Sequence, residues 1–242
     1  MCGGSPSGDA VTERVRRIRE MLTNIETWNP FCHGTSTVFA EDIERRGLQP
    51  RECTTDDIPV CRPSVYKGKE TSRPDRVYLS RVERGLDVCL GSAYGAIDVF
   101  GGDAIVFGVN IERGSEKRLD SDEDADEAIK ESWAVEKCRD AFEHPLSPLA
   151  KGRIPGKLLS RVRESMKEEG PFSKSEVNEI CEGLPRWALS LMFMQTMSHQ
   201  GGVTPDQLSE PESVKSLEVG SLDYDEALFR LATSRGKRGV IP

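Results

Sequence analysis

No apolar run in this 242-residue chain approaches the roughly 18 residues that a membrane-spanning helix needs, so no transmembrane helix is expected. Histidine is scarce: His33, His144 and His199 are the three in the chain, hard to assemble into a metal cluster. The seven cysteines (Cys2, Cys32, Cys53, Cys61, Cys89, Cys138 and Cys181) are odd in number and contain no Cys-x-x-Cys pair, so neither a disulfide framework nor a zinc site is indicated. Lys and Arg (33) are outnumbered by Asp and Glu (41). The resulting charge of -8 argues against broad phosphate-neutralising contact with nucleic acid, though not against a local basic groove. The opening Met1 to Asp9 lacks the basic and apolar regions of a secretory leader, and Gly3 is out of place for myristoylation. A soluble, cytoplasmic protein with no membrane partner is the expectation.

What the chain does have is 36 % hydrophobic residues, enough for one sizeable core. Val11, Val15, Ile18, Leu22, Ile25 and Trp28 recur at helical spacing and predict an amphipathic helix over residues 9–29, laid on that core. The stretch Phe31 to Arg51 organises the rest. Phe31 and Cys32 read as the end of a buried strand that stops at His33 and Gly34. Thr35 to Thr37 offer hydroxyls for a helix cap; Val38, Phe39 and Ile43 give the helix an apolar side; Gly47, Leu48 and Pro50 end it. Such a junction suits a small polar ligand, because Gly34 lets the backbone approach closely and His33 can hydrogen-bond a hydroxyl. Cys32 reads as a buried structural cysteine, since neighbouring strand residues face opposite ways.

Residues 51–75, with Pro59, Pro63 and Pro74, read as a long loop. Arg76 to Ser80 is a short strand, a helix runs through Ser92, Tyr94 and Ile97, and Ala104 to Ile111 is apolar enough for a central strand buried on both faces. The acidic segment Asp120 to Glu127 caps a helix carrying Ile129, Trp133, Cys138 and Phe142, and lacks the glycine and terminal glutamate of a calcium loop. Leu149 to Ile154, ended by Pro155, reads as a last strand, with a helix behind it through Leu158, Val162 and Met166. Beyond it stand a capping box at Ser173 and Glu176, a helix opened by Pro185 and running from Trp187 to Met197, and a final helix from Asp223.

His33-Gly34-Thr35, the helix with Ile43, and Gly47-Leu48-Gln49-Pro50 resemble the opening signature of the ADP-ribosyltransferase superfamily. Poly-ADP-ribose polymerases, DNA-modifying toxin ADP-ribosyltransferases and RNA 2'-phosphotransferases share it. Val77-Tyr78-Leu79-Ser80 and Ser92-Ala93-Tyr94 resemble later elements of the same superfamily, and the likeness covers about residues 30–160. It implies an α+β fold with a split antiparallel sheet flanked by helices, in a catalytic domain over residues 1–170, followed by a helical extension over 171–242 with a basic tail.

The same resemblance implies NAD as substrate, with His33 on a ribose hydroxyl, the Gly34 backbone on the nicotinamide carboxamide, and Tyr78 in the His-Tyr-Glu set. Tyr94 would stack on nicotinamide, and Thr35, Arg51 and Ser92 would join the dinucleotide site. The family's carboxylate usually opens a strand that ends before an Ile-Pro or Val-Pro step. Matched to Leu149–Ile154, that position falls near Ser147, which makes Glu143 the nearest upstream candidate, with Glu131 and Glu136 on predicted helices. The implied reaction cleaves the nicotinamide–ribose bond through an oxocarbenium-like transition state and transfers ADP-ribose to a macromolecular acceptor, protein or nucleic acid. Two alternatives stand beside it. One is an RNA 2'-phosphotransferase, a branch with histidine where this chain has Tyr78; Arg51, Arg73 and Arg76 are candidate phosphate ligands, whether for NAD or for a nucleic acid. The other is a catalytically silent NAD or ADP-ribose binder.

Overall fold

Val15, Ile18, Leu22, Ile25 and Trp28 form one buried stripe, as their spacing predicts. The helix that carries it, α1 (Gly8–Thr23), gives way to a 3-10 turn at Ile25–Thr27. The computed structural model describes residues 8–50, 73, 75–217, 221 and 223–233. The chain continues through β1 (Phe31–Ser36), α2 (Ala40–Arg46), β2 (Arg76–Arg81), α3 (Val82–Phe100), β3 (Ala104–Val109) and β4 (Leu119–Asp120). Then come α4 (Glu123–Lys130), α5 (Trp133–Glu143), α6 (Pro148–Arg153), α7 (Gly156–Glu169), α8 (Lys174–Glu182) and α9 (Arg186–Met194). Strands β5 (Thr196–Gln200) and β6 (Glu212–Ser213) precede α10 (Tyr224–Thr233).

The α+β class holds: the strands make one antiparallel sheet in the order β4-β5-β2-β1-β3-β6, with helices on both faces. Alternation along β1 and β3 sorts the core. Phe31, Ile105, Phe107 and Val109 join the larger cluster with α1, α5, α7, α8 and α9. Cys32, Ala104 and Val106 face the smaller one, built with Cys89 and Ala93 of α3 and Ala227 and Leu231 of α10. Among the described residues no helix is long and apolar enough to cross a membrane.

Three expectations are corrected. The strand expected to stop at His33 instead begins at Phe31 and runs through His33 and Gly34 to Ser36, whose hydroxyl accepts from Val38 N at 3.2 Å. The expected strand Leu149–Ile154 is α6: Ser147 accepts from Ala150 N at 3.2 Å and Pro148 takes the first turn, a helix start rather than a strand start. Residues 171–242 are not a helical appendage, because they supply β5 and β6, and β5 pairs with β2 over five residues. Nor does residue 170 separate two bodies. Buried Arg14 of α1 donates to Ser165 Oγ at 2.9 Å and to the Gly170 carbonyl at 2.8 Å, and lies 3.4 Å from Glu176.

Candidate functional site

The two strands that carry His33 and Tyr78 barely pair. Their ladder consists of Phe31 with Arg81 and Cys32 with Ser80, whereas β1 pairs with β3 along all six of its residues. Past Cys32 the strands part, and the contact becomes a side chain: His33 Nδ1 lies 3.0 Å from the Tyr78 carbonyl oxygen. A carbonyl only accepts, so Nδ1 carries the proton of this bond. Thr35, buried, lies two positions from His33 and hence on the same face of β1.

Gly34 is required by packing as well. A Cβ there would stand 2.0 Å from the Cys89 carbonyl oxygen and 3.0 Å from Ala93 N, so α3 lies against β1 at a distance that only glycine allows. Gly85, Cys89 and Ala93 form the buried face of that helix. Ser92 and Tyr94 flank Ala93 about 100° to either side. Ser92 is exposed and donates to the Val88 carbonyl at 3.1 Å; Tyr94 is 42 % exposed. Neither lies on the face turned to β1.

The Tyr78 hydroxyl accepts from Arg73 N at 2.7 Å. Burial raises its pKa first, and the carboxylate of Glu123 raises it further. Glu123 opens α4, and its side chain is 7 % exposed. Its Oε1 is 3.4 Å from Arg73 Nε, while Oε2 is buried with no hydrogen-bond partner. Burial raises the pKa of Glu123, against a smaller lowering by the Tyr78 hydroxyl. Asp122, the N-cap of α4, is also shifted upward by burial and is held by Asp124 N and the Thr196 hydroxyl.

The carboxylate assigned to the site by sequence is elsewhere. Glu143 is the exposed last residue of α5, a helix packed on α4, α6, α8 and α9. Its assignment depended on a strand at 149–154 that is helix α6. The strand on the other side of β2 from β1 is β5, which opens with Thr196, and the acidic group beside Tyr78 is delivered by α4 instead. Glu131 and Glu136 are exposed, and Arg51 lies outside the described residues. Glu123 went unread because Asp120 to Glu127 looks like a helix cap, and no spacing in the sequence shows that β4 brings it to Tyr78.

Around Tyr78 the charges alternate. Arg73 and Arg76 stand at the start of β2 and Arg186 at the start of α9, facing Asp120, Glu123 and Asp126. No group of His, Cys, Asp and Glu among the described residues is arranged to hold a metal ion. An open groove lined by Glu20, Met21, Asn24, Arg113, Lys157 and Arg161 includes none of these residues and mixes both charge signs without a buried reactive group. No protein-family model, curated protein or solved structure matches the chain.

Proposed function

We propose that this chain is an NAD-dependent ADP-ribosyltransferase of the split-sheet type, with Glu123 in the role that the sequence had given to Glu143. The observation that carries the reading is the opening of the β1–β2 ladder at His33, with Tyr78 on the facing strand and, beside its phenol, a buried carboxylate that keeps one oxygen without a hydrogen-bond partner. A buried acceptor with no partner costs stability unless a ligand completes it. A ribose or acceptor hydroxyl is such a ligand.

In this reading the dinucleotide enters where the strands part. His33 holds a ribose hydroxyl and Tyr78 packs on the nicotinamide. The C1'–N bond breaks with its electron pair leaving on nicotinamide, while ionised Glu123 stabilises the positive charge growing on the ribose. The acceptor atom then bonds to C1' and gives up its proton, for which a carboxylate with a raised pKa is a suitable base.

Release of nicotinamide from NAD tests the proposal. Turnover is expected in the wild type, is lost in His33→Ala, Tyr78→Ala and Glu123→Gln, and survives in Glu143→Gln. NAD binding without turnover would replace this reading with a silent binder. Activity confined to 2'-phosphorylated RNA would replace it with the phosphotransferase.

A further inference from the structure

Three guanidinium groups meet on one carboxylate at the sheet edge, where Ser198 of β5 pairs with Asp120 on one side and Tyr78 on the other. Asp120, the last residue of β4, has Arg73 Nη1 at 3.7 Å, Arg76 Nη2 at 3.5 Å and Arg186 Nε at 3.6 Å. All three are longer than the roughly 2.7–2.9 Å of a well-formed charge-assisted hydrogen bond. Arg186 donates to Asp126 instead, but Arg73 meets its other carboxylates, Glu123 and Asp126, at 3.4 and 4.0 Å. Arg76, with a side chain 11 % exposed, keeps a buried Nε that makes no hydrogen bond and has Asp75 Oδ2 at 3.6 Å.

A planar carboxylate has two oxygens and one charge, and cannot serve three planar forks together. A tetrahedral phosphate offers more oxygens and up to two charges, and guanidinium groups match it well. Asp120 is also the member of the cluster best able to leave. It is 29 % exposed on a two-residue edge strand and its one close bond, from Ser121 N at 2.9 Å, occupies Oδ1 alone, whereas Asp126 is 6 % exposed and bonded by both Ser121 and Arg186.

We propose that Arg73, Arg76 and Arg186 form a receptor for a phosphate-ester anion other than the dinucleotide's own phosphates, with Asp120 as its internal stand-in. Since Arg73 N holds the Tyr78 hydroxyl, a phosphate bound there lies beside the proposed transfer site. If the transferase reading holds, that phosphate belongs to the acceptor; the receptor itself does not depend on that reading.

Calorimetric titration of the full chain with inorganic phosphate and with glycerol phosphate tests this. Both are expected to bind, Asp120→Asn to tighten binding about tenfold by removing the competing charge, and Arg73→Gln or Arg186→Gln to weaken it about tenfold. Saturating NAD should leave these affinities unchanged, and thermal melting should show each variant folded. Because both arginines are half-exposed, their variants are expected to fold even if Arg76→Gln does not. Absence of binding in Asp120→Asn overturns the receptor, as does binding insensitive to the arginine variants or exclusion of the ester. Competition with NAD overturns its separation from the dinucleotide. Phosphate binding in a protein that releases no nicotinamide supports the receptor and removes the transferase.

Discussion

Glu123→Gln separates a functional carboxylate from a structural one, because the two cases move activity and stability differently. The substitution keeps size and shape and removes the charge. As transition-state stabiliser and base, the carboxylate is worth on the order of a hundred- to ten-thousand-fold in turnover. Stability should move the other way. The buried Oε2 without a partner costs about 1–3 kcal/mol in the folded state, and an amide is cheaper to bury than a carboxylate. Against this, the variant loses an ion pair at 3.4 Å to Arg73, whose side chain is 46 % exposed. Such a pair is worth roughly 0–1 kcal/mol. The net is a gain of about 1 kcal/mol, a melting temperature about 2–4 °C higher for a chain of this size.

The pH dependence carries the sign. Burial raises the Glu123 pKa above its ordinary 4.5, so between 4.5 and the folded value the folded state binds a proton that the unfolded chain has released. Wild-type stability therefore falls as pH rises through that window, and the Gln variant does not share the fall. The advantage of the variant is full above the window and vanishes below pH 4.5. Nicotinamide release and thermal melting across pH 4 to 8 measure both quantities. A variant that is inactive and less stable would make Glu123 a structural residue, and one that is fully active would remove it from the mechanism.

Gly34→Ala places a methyl 2.0 Å from the Cys89 carbonyl oxygen, a backbone atom that cannot rotate away, and should cost about 3 kcal/mol in urea unfolding. Arg14→Met strips Glu176 and the Gly170 carbonyl of a buried donor and should cost about 3 kcal/mol, read as a lower urea midpoint. His199 is buried and its pKa is pushed below 6.5 by that burial, so the unfolded chain takes the proton first. Stability should decline as pH drops below 6.5, and His199→Gln should flatten the decline in urea midpoints collected between pH 5 and 7. Glu143→Gln, on an exposed position, should change stability by less than about 0.5 kcal/mol and leave nicotinamide release unaltered.

What the sequence made legible was local chemistry. Gly47 ends α2 at φ +80, Gly101 and Gly102 turn the chain at positive φ, and Ser173 with Glu176 closes both bonds of a capping box. Each of these is decided within a few residues, so a short window suffices. The misreadings arose where partners distant in sequence decide. Leu149 to Ile154 is too short for periodicity to tell strand from helix, and the Ser-Pro pair that starts α6 was the stronger signal. Thr196 to Gln200, with Met197, Ser198 and His199, has almost no β-branched content. It becomes β5 because Gln195, at φ +65, reverses the chain out of α9 and presents it to the open edges of β2 and β4. The α6 misreading carried the carboxylate to Glu143, and the unread β5 hid how α4 reaches Tyr78.

The backbone around Glu123 explains how a buried oxygen without a partner persists. Ser190 Oγ accepts from Asp122 N at 3.1 Å and donates to the Thr196 carbonyl at 2.7 Å, and Ser198 Oγ donates to the Ser121 carbonyl at 2.8 Å. Ser121 also bonds Asp126 one turn into α4, and the Asp122 side chain caps the helix through Asp124 N. These bonds fix the chain on both sides of Glu123 without using its carboxylate. The side chain is thus aimed by its neighbours and left incomplete at its tip. Glu123 is placed by its neighbours' bonds, its carboxylate meets Arg73 and the Tyr78 hydroxyl, and Oε2 is left for a ligand to meet.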